Sequence, residues 1–128
     1  MNSPQRARTR LESIGYGLAG IWYVLRTQRN AWIHSIATLA AISLGFWLRI
    51  SKIEWASLVI AISIVWLAEL MNTALEALMD LVSPENHPLA KVAKDVAAGA
   101  VLLTSISALI IGFLIFLSPL REQMGWGK

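Results

Sequence analysis

Long apolar runs separated by short polar breaks set the rhythm of this chain. Three of them, at 31–49, 55–80 and 96–117, approach or exceed the length needed to cross a bilayer, since about 20 apolar helical residues cover a hydrocarbon core of about 30 Å. The first closes at Arg49 and Lys52 and the third at Pro119 and Arg121. Trp32, Trp47, Trp55 and Trp126 fall near the predicted ends, where aromatic belts form at membrane interfaces. Ahead of the first run, Leu11, Ile14, Leu18, Ile21, Trp22 and Leu25 recur at helical spacing, while Arg10, Glu12, Ser13 and Gly17 take other faces. This predicts an amphipathic helix within 1–29 lying on the membrane surface; the alternative is a short helix packed against the bundle. Ser83-Pro84-Glu85-Asn86-His87-Pro88 is the clearest break and predicts a short loop between the second and third spans. The pattern describes an all-α integral membrane protein, a single membrane-embedded domain over 1–128.

Where the second run ends, its pattern changes. Glu69, Asn72, Glu76 and Asp80 recur so that all four fall within about 80° on one helical face. A carboxylate near the bilayer centre costs about 2.5–3.5 kcal/mol even on the lenient insertion scale. Such a stripe points to ions, protons or catalysis rather than packing.

Composition narrows the chemistry. The chain has 128 residues, 56% of them hydrophobic, with mean hydropathy +0.59, a profile that leaves no room for a separate soluble domain. With no cysteine, disulfides, thiolate metal sites and cysteine nucleophiles are excluded. The net charge is +3, and Arg6, Arg8, Arg10, Arg26 and Arg29 crowd its first part. That placement suits anionic headgroups; no basic face with interleaved aromatics follows, which argues against nucleic acid. The N-terminus lacks the compact apolar core and small-residue site of a cleaved signal peptide. With the N-terminus in the cytoplasm, Arg6, Arg8, Arg10, Arg26, Arg29, Lys91 and Lys94 lie inside, against Arg49, Lys52, Arg121 and Lys128 outside. The bias predicts an N-in, C-out topology and puts the acidic stripe near the cytoplasmic surface.

Carboxylates this close on a low-dielectric face are not all ionised unless a cation sits among them. Oxygen donors alone favour a hard ion such as Mg²⁺. Pairing with Lys or Arg of a neighbouring helix is the structural alternative, and the expected spans contain no internal Lys or Arg to supply it. Lys94 and Asp95 open the third span at the level of Glu76 and Asp80. A lysine beside acidic metal ligands meets the needs of a nucleotide phosphate, although Lys-Asp at a helix start is also an ordinary interfacial anchor. Ala97, Ala98, Gly99 and Ala100 allow close helix approach. No Walker-type or kinase-like glycine loop occurs. His34 and His87 are solitary in sequence, and His34 is expected to be a satisfied interfacial residue. Three thin helices are not expected to enclose a pocket, which favours a site between subunits.

Glu69-x-x-Asn72-Thr73-Ala74-x-Glu76-x-x-x-Asp80 resembles the signature of the prokaryotic diacylglycerol kinase family, which includes undecaprenol kinases. Gly15-Tyr16 with Gly20, Arg29-Asn30 with Ile33-His34, and His87-Pro88-Leu89-Ala90-Lys91 through Lys94-Asp95 and Gly99 extend the likeness from about Arg10 to Leu117. The resemblance implies a homotrimeric bundle with active sites shared between neighbours at the membrane–cytosol boundary of the bacterial inner membrane. It implies transfer of the γ-phosphate of MgATP to a lipid hydroxyl. By motif position, Glu69 would be the general base and Asn72 would orient it or the substrate. Glu76 would hold Mg²⁺, and Asp80 would contact nucleotide or support the site. Lys94 and Asp95 would bind ATP, with Tyr16, Glu85, Asn86 and His87 around the nucleotide and Thr9 and Arg10 near its phosphates.

One position departs from the pattern. Many members carry a glutamate, a second Mg²⁺ ligand, where this chain has Gln28. An amide oxygen coordinates Mg²⁺ without adding negative charge. The loop and first-span segments look more like the undecaprenol branch, so a polyprenol is the expected lipid and diacylglycerol the alternative. The competing class is a proton- or cation-coupled transport protein, which would place its acids near the midplane and has no need of Lys94-Asp95 beside a polar loop. A noncatalytic membrane assembly subunit is the third.

Overall fold

The computed structural model describes residues 9–83 and 87–125, and among these every regular element is a helix. In chain order they are α1 (Arg10–Thr27), α2 (Arg29–Leu48), α3 (Lys52–Val82) and α4 (Pro88–Gln123). The last three are long and apolar enough to cross a membrane. At 1.5 Å per residue α3 and α4 reach about 46 and 54 Å, well beyond about 30 Å of hydrocarbon. The polar positions Glu76, Asp80, Lys91, Lys94 and Asp95 sit where α3 ends and α4 begins.

Local chemistry explains the helix ends. The Thr9 hydroxyl accepts the Glu12 N–H (3.2 Å) and the Glu12 carboxylate accepts the Thr9 N–H (2.7 Å). Ser51 and Glu54 repeat this reciprocal cap at the start of α3, each box satisfying two otherwise orphaned donors. At α4 the His87 Nδ1 accepts from the Leu89 N–H (3.2 Å), and Pro88 supplies a first helical residue that needs no N–H partner. α2 stops at Arg49, which adopts the left-handed conformation (φ 52°), and the Ile50 N–H returns to the Gly45 carbonyl (3.2 Å). A single extended residue, Gln28 (φ −101°, ψ 120°), separates α1 from α2. The chain therefore turns from its first helix into its first span at one residue.

α3 and α4 form the principal helix pair, with α2 packed against both. At the Arg49 end, Leu48, Ile50, Leu58 and Ile115 form a buried cluster with Trp55 and Phe116 against it. Lipid tails are as apolar as leucine, so fit rather than water exclusion holds such a cluster. Gly45 lets the hairpin close: a Cβ there would stand 2.9 Å from the Trp55 ring. Gly45→Val is expected to destabilise by about 1–3 kcal/mol through overpacking, read as a lower melting temperature of the detergent-solubilised protein.

The helices begin at Arg29, Lys52 and Pro88, ahead of the apolar stretches read from 31, 55 and 96. Pro119 does not close the third helix, which continues through it to Gln123. Within one chain α1 buries only Val24, while Leu11, Ile14, Leu18 and Trp22 remain exposed. Trp126 lies outside the described residues.

Candidate active site

From Trp55 at the remote end, α3 climbs about 21 Å to reach Glu69. From there the polar stripe runs along a gradient of burial. Glu69 is wholly buried (0% exposed), Asn72 and Thr73 are buried, Glu76 is half-buried and Asp80 is exposed. Helical spacing links its members. The Asn72 Nδ2 donates to Glu76 Oε1 (3.1 Å), and the Thr73 hydroxyl donates to the Glu69 carbonyl (3.0 Å). Both Glu69 oxygens and the Asn72 Oδ1 lack a hydrogen-bond partner among the described residues. Buried polar atoms in that condition are costly and mark a site shaped for a ligand.

His34 was expected to be satisfied at the interface, and it is not. Its Nε2 has no hydrogen bond and stands 3.6 Å from Glu69 Oε2. The ring meets Trp66 edge-on (centroids 6.3 Å, planes 68°), and the Trp66 Nε1–H donates to the Thr38 hydroxyl (3.1 Å). His34 and Thr38 are one turn apart on α2, and Trp66 and Glu69 share a face of α3. Nothing in the local sequence reveals this clasp; only the helix pairing does.

Nearer the hairpin end, Lys94 pairs with the Asp80 carboxylate between α4 and α3, and Lys91 pairs with Asp95 along α4. The pairing alternative therefore holds for Asp80. Its reason is the early start of α4, which places Lys94 in the second helical turn, opposite Asp80. Both are exposed ion pairs of a kind that solvent weakens, so a phosphate can exchange into them at little cost.

The remaining predicted residues are dispersed. Thr9 caps α1, while Arg10 and Tyr16 lie exposed along it. None of these three hydrogen-bonds Glu69. Gln28 is the hinge between α1 and α2, and His87 caps α4. Glu85 and Asn86 lie outside the described residues. Among those described, no three His, Asp or Glu side chains gather to hold a metal ion. Mg²⁺ commonly takes one or two carboxylates and completes its shell with water and substrate phosphates. The Glu76 carboxylate, with the unpartnered Asn72 Oδ1 beside it, fits that mode.

An apolar groove of about 510 Å³ runs between α2, α3 and α4, lined by Ile62, Val65, Leu109, Phe113 and Phe116 and including His34. The three spans leave this groove open along one side and do not enclose it as a pocket. Small side chains make the space: Ala37, Ala41, Ala61 and Gly112 line it too. Val65 lies one turn before Glu69, so the groove and the buried carboxylate are neighbours along α3.

The model of the family described as prokaryotic diacylglycerol kinase matches residues 15–116. An undecaprenol kinase of Bacillus subtilis is 46% identical over 101 residues, covering 79% of this chain and 82% of its own length. A diacylglycerol kinase of Synechocystis is 44% identical over 124 residues, covering 96% of this chain and 71% of its own. One from Escherichia coli K12 is 31% identical over 107 residues, covering 78% and 82%. A multi-pass membrane protein with three apolar spans, a buried carboxylate stripe and this extent of similarity is a lipid kinase using a nucleotide phosphoryl donor. The chain belongs to the prokaryotic diacylglycerol kinase family.

Proposed function

We propose that the chain transfers the γ-phosphate of MgATP to the hydroxyl of a membrane polyprenol, converting undecaprenol to undecaprenyl phosphate. The observation that carries this reading is Glu69: a fully buried carboxylate, both oxygens unpartnered, one turn beyond the apolar groove. A lipid alcohol is a poor nucleophile and needs a base within hydrogen-bond reach. Glu69 takes the hydroxyl proton as the lipid oxygen bonds to the γ-phosphorus. The bond between that phosphorus and the bridging oxygen breaks, and the electron pair leaves with ADP.

Other residues position and neutralise. Asn72 fixes Glu76 through its amide, and Lys94 exchanges Asp80 for phosphate oxygens. Glu76, with Gln28 as a candidate second donor, would hold Mg²⁺, which would supply charge neutralisation at the phosphates. Asp80 and Asp95 hold the two lysines in place before nucleotide arrives. Thr9, Arg10, Tyr16, Glu85, Asn86 and His87 complete the nucleotide side by family position. Exposed apolar residues on α1 suit an amphipathic helix on the cytoplasmic leaflet. The same exposure on α2–α4 suits a homotrimer, and the Lys and Arg bias supports an N-in orientation in the inner membrane.

The B. subtilis relative's name and the His87-Pro88-Leu89-Ala90-Lys91 segment favour the polyprenol; the Synechocystis relative's name keeps diacylglycerol as a second reading. Purified protein given MgATP and equal amounts of undecaprenol and a diacylglycerol is expected to phosphorylate the polyprenol preferentially. Preference for the diacylglycerol would move the activity to phosphatidate formation. Gln28→Glu adds a negative oxygen donor and is expected to lower the Mg²⁺ concentration for half-maximal rate several-fold. An unchanged Mg²⁺ titration would remove Gln28 from the metal site.

A further inference from the structure

We infer that His34 is a positioning residue for the Glu69 base, donating its Nε2–H to one carboxylate oxygen so that the other is presented to the lipid hydroxyl. The inference rests on the lipid kinase reading of Glu69 and adds a residue to it.

The geometry has three parts. His34 Nε2 and Glu69 Oε2 are buried, unpartnered and 3.6 Å apart. A closure of under about 1 Å brings them to hydrogen-bond distance, and catalytic hydrogen bonds commonly tighten only when substrate is bound. Next, the imidazole does not swing freely. Trp66 meets it edge-on and is itself tied to Thr38, one turn along α2 from His34. Finally, His34 lines the apolar groove, so it stands where an incoming lipid headgroup must pass to reach Glu69.

On α3 the other glutamate of the stripe, Glu76, already accepts from the Asn72 amide, and α2 brings the His34 ring to Glu69. An imidazole N–H donated to one oxygen of Glu69 orients the carboxylate and leaves its second oxygen facing the substrate. Active-site carboxylates generally need such a hydrogen-bonding neighbour to hold them in a productive orientation.

His34→Leu removes the donor and keeps an apolar side chain in the groove, and His34→Gln keeps an N–H at a similar reach. Rates for undecaprenol and MgATP are measured for both variants, singly and combined with Glu69→Gln. His34→Leu is expected to lower kcat about 10- to 100-fold with both KM values little changed. His34→Gln is expected to recover most of that loss. In the Glu69→Gln background, His34→Leu is expected to add nothing, because residues acting as one unit are not additive. A merely structural role predicts additive losses and no rescue, and that result overturns the inference. Should His34→Leu fail to fold, the ¹⁵N shift of the His34 Nε2 in wild-type protein against Glu69→Gln decides: a clear change is expected, and none overturns it. If wild-type protein phosphorylates no lipid, the kinase reading itself fails; full activity in His34→Leu with an active wild type removes His34 alone.

Discussion

Glu69→Gln is expected to reduce lipid phosphorylation by about 10²–10⁴-fold, the usual contribution of a general base. The substitution keeps the size and hydrogen-bonding shape of the side chain but leaves nothing to take the hydroxyl proton. KM values for lipid and MgATP should change little, since the interaction is made only in the transition state. Stability should move the other way. Glu69 is fully buried with both oxygens unpartnered, and an amide is cheaper to bury than a carboxylate in that position. The variant is therefore expected to melt at the wild-type temperature or above it, as stability–activity trade-offs predict. Initial rates in mixed micelles and a melting curve on the same sample test both halves. Turnover within tenfold of wild type would remove Glu69 as the base.

Glu76→Gln is expected to give the second largest loss, about 10²–10³-fold in the rate at limiting Mg²⁺, the range for removing one electrostatic stabiliser of the transition state. Glutamine at 76 still offers an oxygen to the Asn72 amide, so the i,i+4 contact between them survives and the fold is unaffected. What is lost is the negative charge that holds a hard cation against phosphate oxygens. Raising Mg²⁺ should restore part of the rate in this variant, whereas it restores none in Glu69→Gln. A Mg²⁺ titration of both variants separates the metal ligand from the base. An unshifted titration in Glu76→Gln would contradict its assignment.

Much of this is legible in the sequence because helical periodicity is a local property. The stripe Glu69, Asn72, Glu76 and Asp80 lies along α3 as its spacing requires. Faces are fixed by spacing; neighbours are not. The approach of His34 to Glu69 depends on how α2 packs on α3, and a single histidine among apolar residues carries no record of that. Lys94 is legible at the opening of the third span, level with Asp80, but their direct pairing is not, because sequence level does not fix which partner a side chain takes. Hydropathy marks the apolar stretch, whereas α4 already opens at Pro88. The groove is not legible in sequence because it is made by small residues, Ala37, Ala41, Ala61 and Gly112, that carry little weight in any one helix and matter only where three helices meet. Gln28 was legible as a departure in charge, while its backbone role as the one-residue turn between α1 and α2 was not.

The most direct test follows the phosphorus. Purified protein in mixed micelles is given Mg²⁺, undecaprenol and ATP labelled in its γ-phosphate, and label in the lipid is compared with ADP released. The account predicts label in undecaprenyl phosphate in a one-to-one ratio with ADP, from wild type and not from Glu69→Gln. Folded wild-type protein that releases ADP without labelling lipid, or that labels lipid equally well without the Glu69 carboxylate, would contradict it.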